Sequence, residues 1–180
     1  MNIFYIETDP YDAAQSMVDR HVVKMVLETS QLLSTAHRLL DGEEYVGKSA
    51  SGRSARRWRL PDEREDILYS ATHINHPSAV WCRQTIHNYN WLCCHFEGLL
   101  IEYTYRYGKT HKCAEPKFRQ LLQTIPNNIP VGPLTPVTPA MLDEYKVGVD
   151  SLASYRNYYK QGKTHLHKWT KRQPPVWLTA

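Results

Sequence analysis

Between Asp19 and Leu40 the chain reads DRHVVKMVLETSQLLSTAHRLL. Wound at 3.6 residues per turn, it places His21, Lys24, Glu28, Gln31, Thr35 and Arg38 on one stripe. Val22, Met25, Val26, Leu32, Leu33, Ala36 and Leu40 fall broadly opposite, on the half a helix buries. The stripe brings an imidazole, an ammonium, an amide, a hydroxyl and a guanidinium around a single carboxylate, Glu28. A solvated face normally repeats Glu and Lys, whereas a mixed set of this kind suits acid–base work on a bound substrate. The competing reading is a surface helix with charge pairs four residues apart, each contributing only ~0.2–0.5 kcal/mol.

The elements that must position this stripe follow from composition and punctuation. The 180 residues predict one domain spanning residues 1–180. The expected fold is mainly α: a single compact helical domain with long central helices, an extended N-terminal lead-in and a Pro-rich irregular crossing. No apolar run approaches the roughly 20 residues of a membrane span, and MNIFYIETDP does not read as a signal peptide. The expectation is a soluble cytoplasmic monomer with no membrane partner. Cys82, Cys93, Cys94 and Cys113 form no C-x-x-C pair, so zinc-ribbon and thioredoxin readings fail and packed, reduced thiols are expected. The net charge of +4 is compatible with a polyanion, and the 12 Tyr and 5 Trp against 3 Phe suit half-wet rings at an interface or at the rim of a core.

Asn2–Ile6 is expected as a strand or an extended lead-in. Asp9-Pro10 predicts a helix start over a short helix Tyr11–Val18, and Asp41-Gly42 ends the long helix. In RSARRWR, Arg53, Arg56, Arg57 and Arg59 surround Trp58, a combination that suits a phosphate backbone with a stacked base. The alternative is a solvated, mobile loop neutralised by Asp62, Glu63, Glu65 and Asp66. From Ser78 to Tyr107 there is no Pro, which predicts one helix of roughly 45 Å, closed by Gly108 and carrying Arg83 and His87 as further candidate substrate contacts. His73 and His76 precede it without a nearby carboxylate, which favours hydrogen bonding over metal ligation. Cys113–Thr138 contains five prolines and reads as a crossing that wraps the core or walls a site. A last helix is expected from Ala140 to about Lys160, and the basic, aromatic tail is a second candidate for polyanion contact.

Three of these stretches together resemble a known family. DRHVVKMVLE is similar to the catalytic helix of the phage pyrimidine-dimer DNA glycosylases of the endonuclease V type, in which an Asp-x-His precedes the reactive glutamate; the match falls on His21 and Glu28. Asn75-His76-Pro77 leads into a helix ending Arg106-Tyr107-Gly108, as in similar proteins, and YRNYYKQGK over Tyr155–Lys163 resembles their aromatic, lysine-bearing end. The resemblance implies an all-helical DNA glycosylase, with or without an abasic-site lyase step, that extrudes a damaged or modified base from double-stranded DNA and needs no cofactor or metal. An amine displaces the base at the glycosidic carbon, and Glu28 shuttles protons and steadies the cationic sugar.

An α-amine, ordinarily near pKa 8, loses its proton more easily than a lysine near 10. In the family that amine belongs to a small residue exposed by Met removal. Asn2 is too large for that, so the role here falls to Met1 or Lys24. The arginines that flank the family's glutamate are mostly replaced, with Leu27 and Gln31 nearby. His21, Asn2, Gln31, Arg38, Asn75, His76, Arg57, Trp58 and Lys163 complete the implied site. Two other readings stay open: a non-catalytic nucleic-acid-binding helical module of phage type, and a metal-dependent phosphohydrolase using His21, Glu28, His73 and His76.

Overall fold

The structure is a computed structural model that describes residues 1–48 and 51–179. It is mainly α, with eight helices and one two-stranded sheet among the described residues. Residues 1–6 run without regular secondary structure. Helix α1 (Pro10–Ser16) starts as its sequence predicts: Pro10 takes the first turn, and the Asp9 carboxylate accepts from the backbone N–H groups of Tyr11 and Asp12 at 2.8 and 3.0 Å. Met17 and Val18 adopt extended angles, which breaks the chain before α2 (Asp19–Asp41). Asp19 locks that break. Its carboxylate accepts from Arg106 Nη1 at 2.9 Å and from both the backbone N–H and the hydroxyl of Thr170. Although burial pushes the Asp19 pKa up, the bonds from Thr170 and Arg106 hold it below the usual carboxylate value.

The predicted single helix from Ser78 to Tyr107 is two helices, α4 (Pro77–Cys82) and α5 (Ile86–Tyr107). The Thr85 hydroxyl accepts from Asn88 N–H at 3.1 Å and restarts the helix, while the buried Asn88 amide donates to the Trp81 carbonyl at 2.9 Å across the break. The long element is therefore about 33 Å, shorter than expected. Gly108 closes it in the left-handed region, φ 63°. Helix α5 packs on α1 and α2. Gly98 permits the α1 contact, because a Cβ there would meet the Ala14 methyl at 3.1 Å and the Tyr11 Cα at 3.2 Å.

Three further differences matter. The arginine-rich segment is not a loop: β1 (Glu43–Lys48) pairs antiparallel with β2 (Ser54–Arg59), Glu44 opposite Trp58 and Val46 opposite Arg56. A short helix α3 (Arg64–Ile67) follows it. The last long helix, α7, covers only Ser151–Gly162, because Asp150 caps it through Ala153 N–H and residues 140–150 hold no α-helix, with one 3-10 turn at Asp143–Tyr145. In the crossing, Glu115 caps an eight-residue α6 (Pro116–Gln123). The basic tail, ending in α8 (Val176–Thr179), folds back on the domain: the Trp169 indole donates to Ser16 O, the Trp177 indole to Glu7, and Arg172 to Glu102. Its rings are packing groups. All four cysteines are unbridged, and no described helix is long and apolar enough to cross a membrane.

Candidate active site

The polar stripe of α2 is covered at both ends and open in the middle. At its start His21 is buried, stacked on Phe4 at 4.1 Å between ring centres, with Nδ1 2.5 Å from the Tyr159 hydroxyl. Burial first, then the charges of Lys163, Lys24 and His165, lowers its pKa to about 3, so it stays neutral. Stacked on Phe4 and bonded to Tyr159, the ring supports the N-terminal lead-in. At the far end Arg38 is buried and donates to the carbonyls of Trp58, Glu65, Leu68 and Tyr69 and to the Glu65 carboxylate at 2.7 Å. Thr35 exchanges hydrogen bonds with the backbone of Thr72. Arg38 and Thr35 thus pin the 69–72 segment to α2, and Arg38 has no donor left over for a phosphate.

Lys24, Glu28 and Gln31 lie between these covers. Lys24 is exposed, and its ammonium sits 3.1 Å from Glu28 Oε1, an i,i+4 pair. Gln31 is half-buried one turn further along. Glu28 is itself 13% exposed, and its other oxygen lies 3.9 Å from the amine of Met1. That distance exceeds hydrogen-bond length, so the amine sits beside the carboxylate without being locked to it.

Residues 1–4 are shaped to bring the amine there. The Asn2 side-chain oxygen Oδ1 accepts from the N–H groups of Ile3 and Phe4 at 2.8 and 3.2 Å, and its side-chain Nδ2 donates to Ala140 O at 2.8 Å. Phe4 is held at φ 56°, a left-handed angle that costs a side-chain-bearing residue of order 1–3 kcal/mol and persists where the surroundings over-determine it. The Met1 side chain is 3% exposed and packs on the core. Asn2 therefore positions the amine.

His76 caps α4 by accepting Ser78 N–H on Nδ1, which leaves its ring proton on Nε2. Burial, then the charges of the Met1 amine and of His73, holds the imidazole below its ordinary pKa, with Glu28 opposing. His76 is thus a neutral donor within electrostatic reach of both the Met1 amine and Glu28. It also lines an open cleft of about 530 Å³ shared with Arg56, Trp58, Ala71, Thr72, His73, Ile74 and Asn75. His73 there adopts φ 49°. Asn75 is exposed in this cleft; Trp58 is 8% exposed, with the Arg56 guanidinium 5.2 Å over its ring. Arg57 lies on the other face of the hairpin and donates to Lys48 O.

The remaining sequence candidates make their contacts elsewhere. Lys163 stands 4.6 Å over the Tyr158 ring, near enough to His21 to lower its pKa. Arg83 donates to Ala79 O, and His87 donates from Nδ1 to Gly132 O, tying the Pro-rich crossing to α5. Among the described residues no group of three His, Cys, Asp and Glu side chains converges on a point that could hold a metal. The residues that sequence reading missed are Phe4, Thr72 and the Ala140 carbonyl. Only Phe4 carries a signal, an aromatic two residues after an Asn able to turn the backbone. The start of α2 and the end of α5 meet in space, since Asp19 pairs with Arg106 at 2.9 Å. Comparison with family models, with curated proteins and with solved structures gives no match to this chain.

Proposed function

We propose that the chain is a DNA glycosylase with an abasic-site lyase step, acting as a monomer on double-stranded DNA in the cytoplasm. The observation that carries the reading is the Met1 amine held 3.9 Å from Glu28 Oε2, with both groups within electrostatic reach of His76, which lines the polar cleft. The amine loses a proton and attacks C1′ of an extruded nucleotide. The glycosidic electron pair leaves with the base, which takes up a proton. Opening of the sugar ring gives an imine between Met1 and C1′. Loss of a C2′ proton then expels the 3′ phosphate. Glu28 takes the amine proton and faces the cationic sugar, and Lys24 keeps the carboxylate oriented while offering its ammonium to a phosphate. Extrusion costs a few kcal/mol, least at a damaged or mispaired base, which supplies selectivity without base-specific contacts.

Borohydride reduction in the presence of an abasic oligonucleotide tests the amine. The expected result is a covalent adduct whose peptide map places the DNA on Met1. An adduct on Lys24, or intact DNA binding without any adduct, removes Met1 as nucleophile. Glu28→Gln should cut single-turnover cleavage by about 10²–10⁴-fold while duplex affinity changes little. Equal cleavage by the two proteins would remove Glu28 as the acid–base group, and duplex binding with no cleavage by either would leave a binding module as the better description.

A further inference from the structure

The β1–β2 hairpin faces outward on both sides: of its two six-residue strands only Trp58 is buried. Such a ribbon gains little from the core. It is nevertheless held firmly at its root. Arg38 donates to the Trp58 carbonyl at 2.9 Å, and the Glu65 carboxylate that pairs with Arg38 also accepts from Leu60 N–H at 2.8 Å. Arg38 is on the same helix as Glu28, ten residues away, or about 15 Å along the axis. Through the root, the ribbon has a fixed place relative to the amine and the carboxylate.

Its charge is concentrated. Lys48, Arg53, Arg56, Arg57 and Arg59 stand against only Glu43 and Glu44, in a chain whose net charge is +4. The cations lie on both faces. Arg56 shares the face of Val46, which is 77% exposed, and of Trp58, and both Arg56 and Trp58 line the cleft that reaches His76. Arg57 and Arg59 lie on the opposite face, Arg59 4.9 Å over the Tyr45 ring. Arg56 pairs with Glu44 at 2.5 Å at the surface, where a pair contributes at most ~1 kcal/mol and yields readily to a phosphate.

We propose that this hairpin is a ribbon that lies in the major groove of B-form DNA and seats the duplex over the Met1–Glu28 pair. The proposal rests on the glycosylase reading and adds the element that recognises the duplex. A two-stranded ribbon, with strands ~4.8 Å apart and about 20 Å long, fits a major groove about 12 Å wide. One face then meets the base edges, and arginines from both faces reach the two phosphate walls. The A-form major groove is deep and narrow and excludes it, so the partner is DNA and not an RNA duplex.

The test is fluorescence anisotropy across a salt series with a DNA duplex, an RNA duplex of the same sequence and single-stranded DNA. The double variant Arg57→Ala/Arg59→Ala should bind duplex DNA at least tenfold more weakly and lose about two from the slope of log K against log salt. Its loss on single strands should be less than a third of that. Losses that match on duplex and single strand, or a wild-type protein that binds the RNA duplex as tightly as the DNA, overturn the proposal. Groove-specific competitors provide a check without any variant: methyl green, a major-groove ligand, should displace the wild-type protein and netropsin, a minor-groove ligand, should not, and the reverse order overturns it. Trapping on a single-stranded abasic oligonucleotide scores the amine separately. An adduct there with no duplex effect sinks the ribbon alone, and a duplex effect with no adduct sinks the amine alone.

Discussion

Asn2 does more for the amine than its size suggests, because one side chain closes the turn over Ile3 and Phe4 and fastens it to Ala140. Asn2→Gln, one methylene longer, cannot accept from both N–H groups while reaching Ala140. It should lower single-turnover cleavage about tenfold or more, the scale expected when a reacting group shifts by a fraction of an ångström. A rate within twofold of wild type would show that the turn does not set the amine. Glu28 and Lys24 were legible in the sequence, because i,i+4 spacing is a local property of a helix. The approach of Met1 to Glu28 was not, because the bond from Asn2 to Ala140 spans 138 positions and no local pattern encodes it. His21 and Arg38 shared the stripe with Glu28 on spacing alone. Which part of a polar stripe stays open depends on what packs over it, here Tyr159 at one end and residues 69–72 at the other.

Among the elements, the start of α1 at Asp9-Pro10, the end of α2 at Gly42, the close of α5 at Gly108 and the start of α4 at Pro77 follow from caps, glycines and prolines visible in the sequence. The break between α4 and α5 was hidden because Arg83, Gln84 and Thr85 are all tolerated inside helices, and the stop comes from the distant Thr135 and Pro133, which bond Asn88 and Thr85. The hairpin was hidden because four arginines in seven residues mask the alternation of β2. Its root depends on Arg38, whose removal leaves four carbonyls without that donor and the Glu65 carboxylate without its ion pair. Arg38→Met should therefore destabilise the fold by about 3 kcal/mol. Hydrogen exchange should show Trp58 and Leu60 losing protection before α5 does. Uniform loss across the domain would mean that the ribbon is not a separately anchored unit.

For the molecule as a whole, buried imidazoles set the response to acid. His21, His37 and His95 have pKa values lowered to about 3, 4 and 4, in each case chiefly by burial, against 6.5 when exposed. The folded state keeps them neutral while the unfolded chain protonates them. Their contribution to stability is complete above pH 6.5 and is lost as the pH falls from there towards 4. Unfolding at pH 5 should take up about three protons, and the urea midpoint should decline steadily between pH 6.5 and 4.5. A flat midpoint over that range would contradict the burial of these rings.

Met1 has its side chain seated in the core and its nitrogen facing a carboxylate, and this governs how the protein can be handled. Under the proposed mechanism, any affinity tag fused upstream turns that nitrogen into an amide, which cannot form an imine, and forces foreign chain through the space beside Glu28. Preparations tagged in this way should be inert however well they fold. A label placed after Thr179, which is exposed, should leave the chemistry intact.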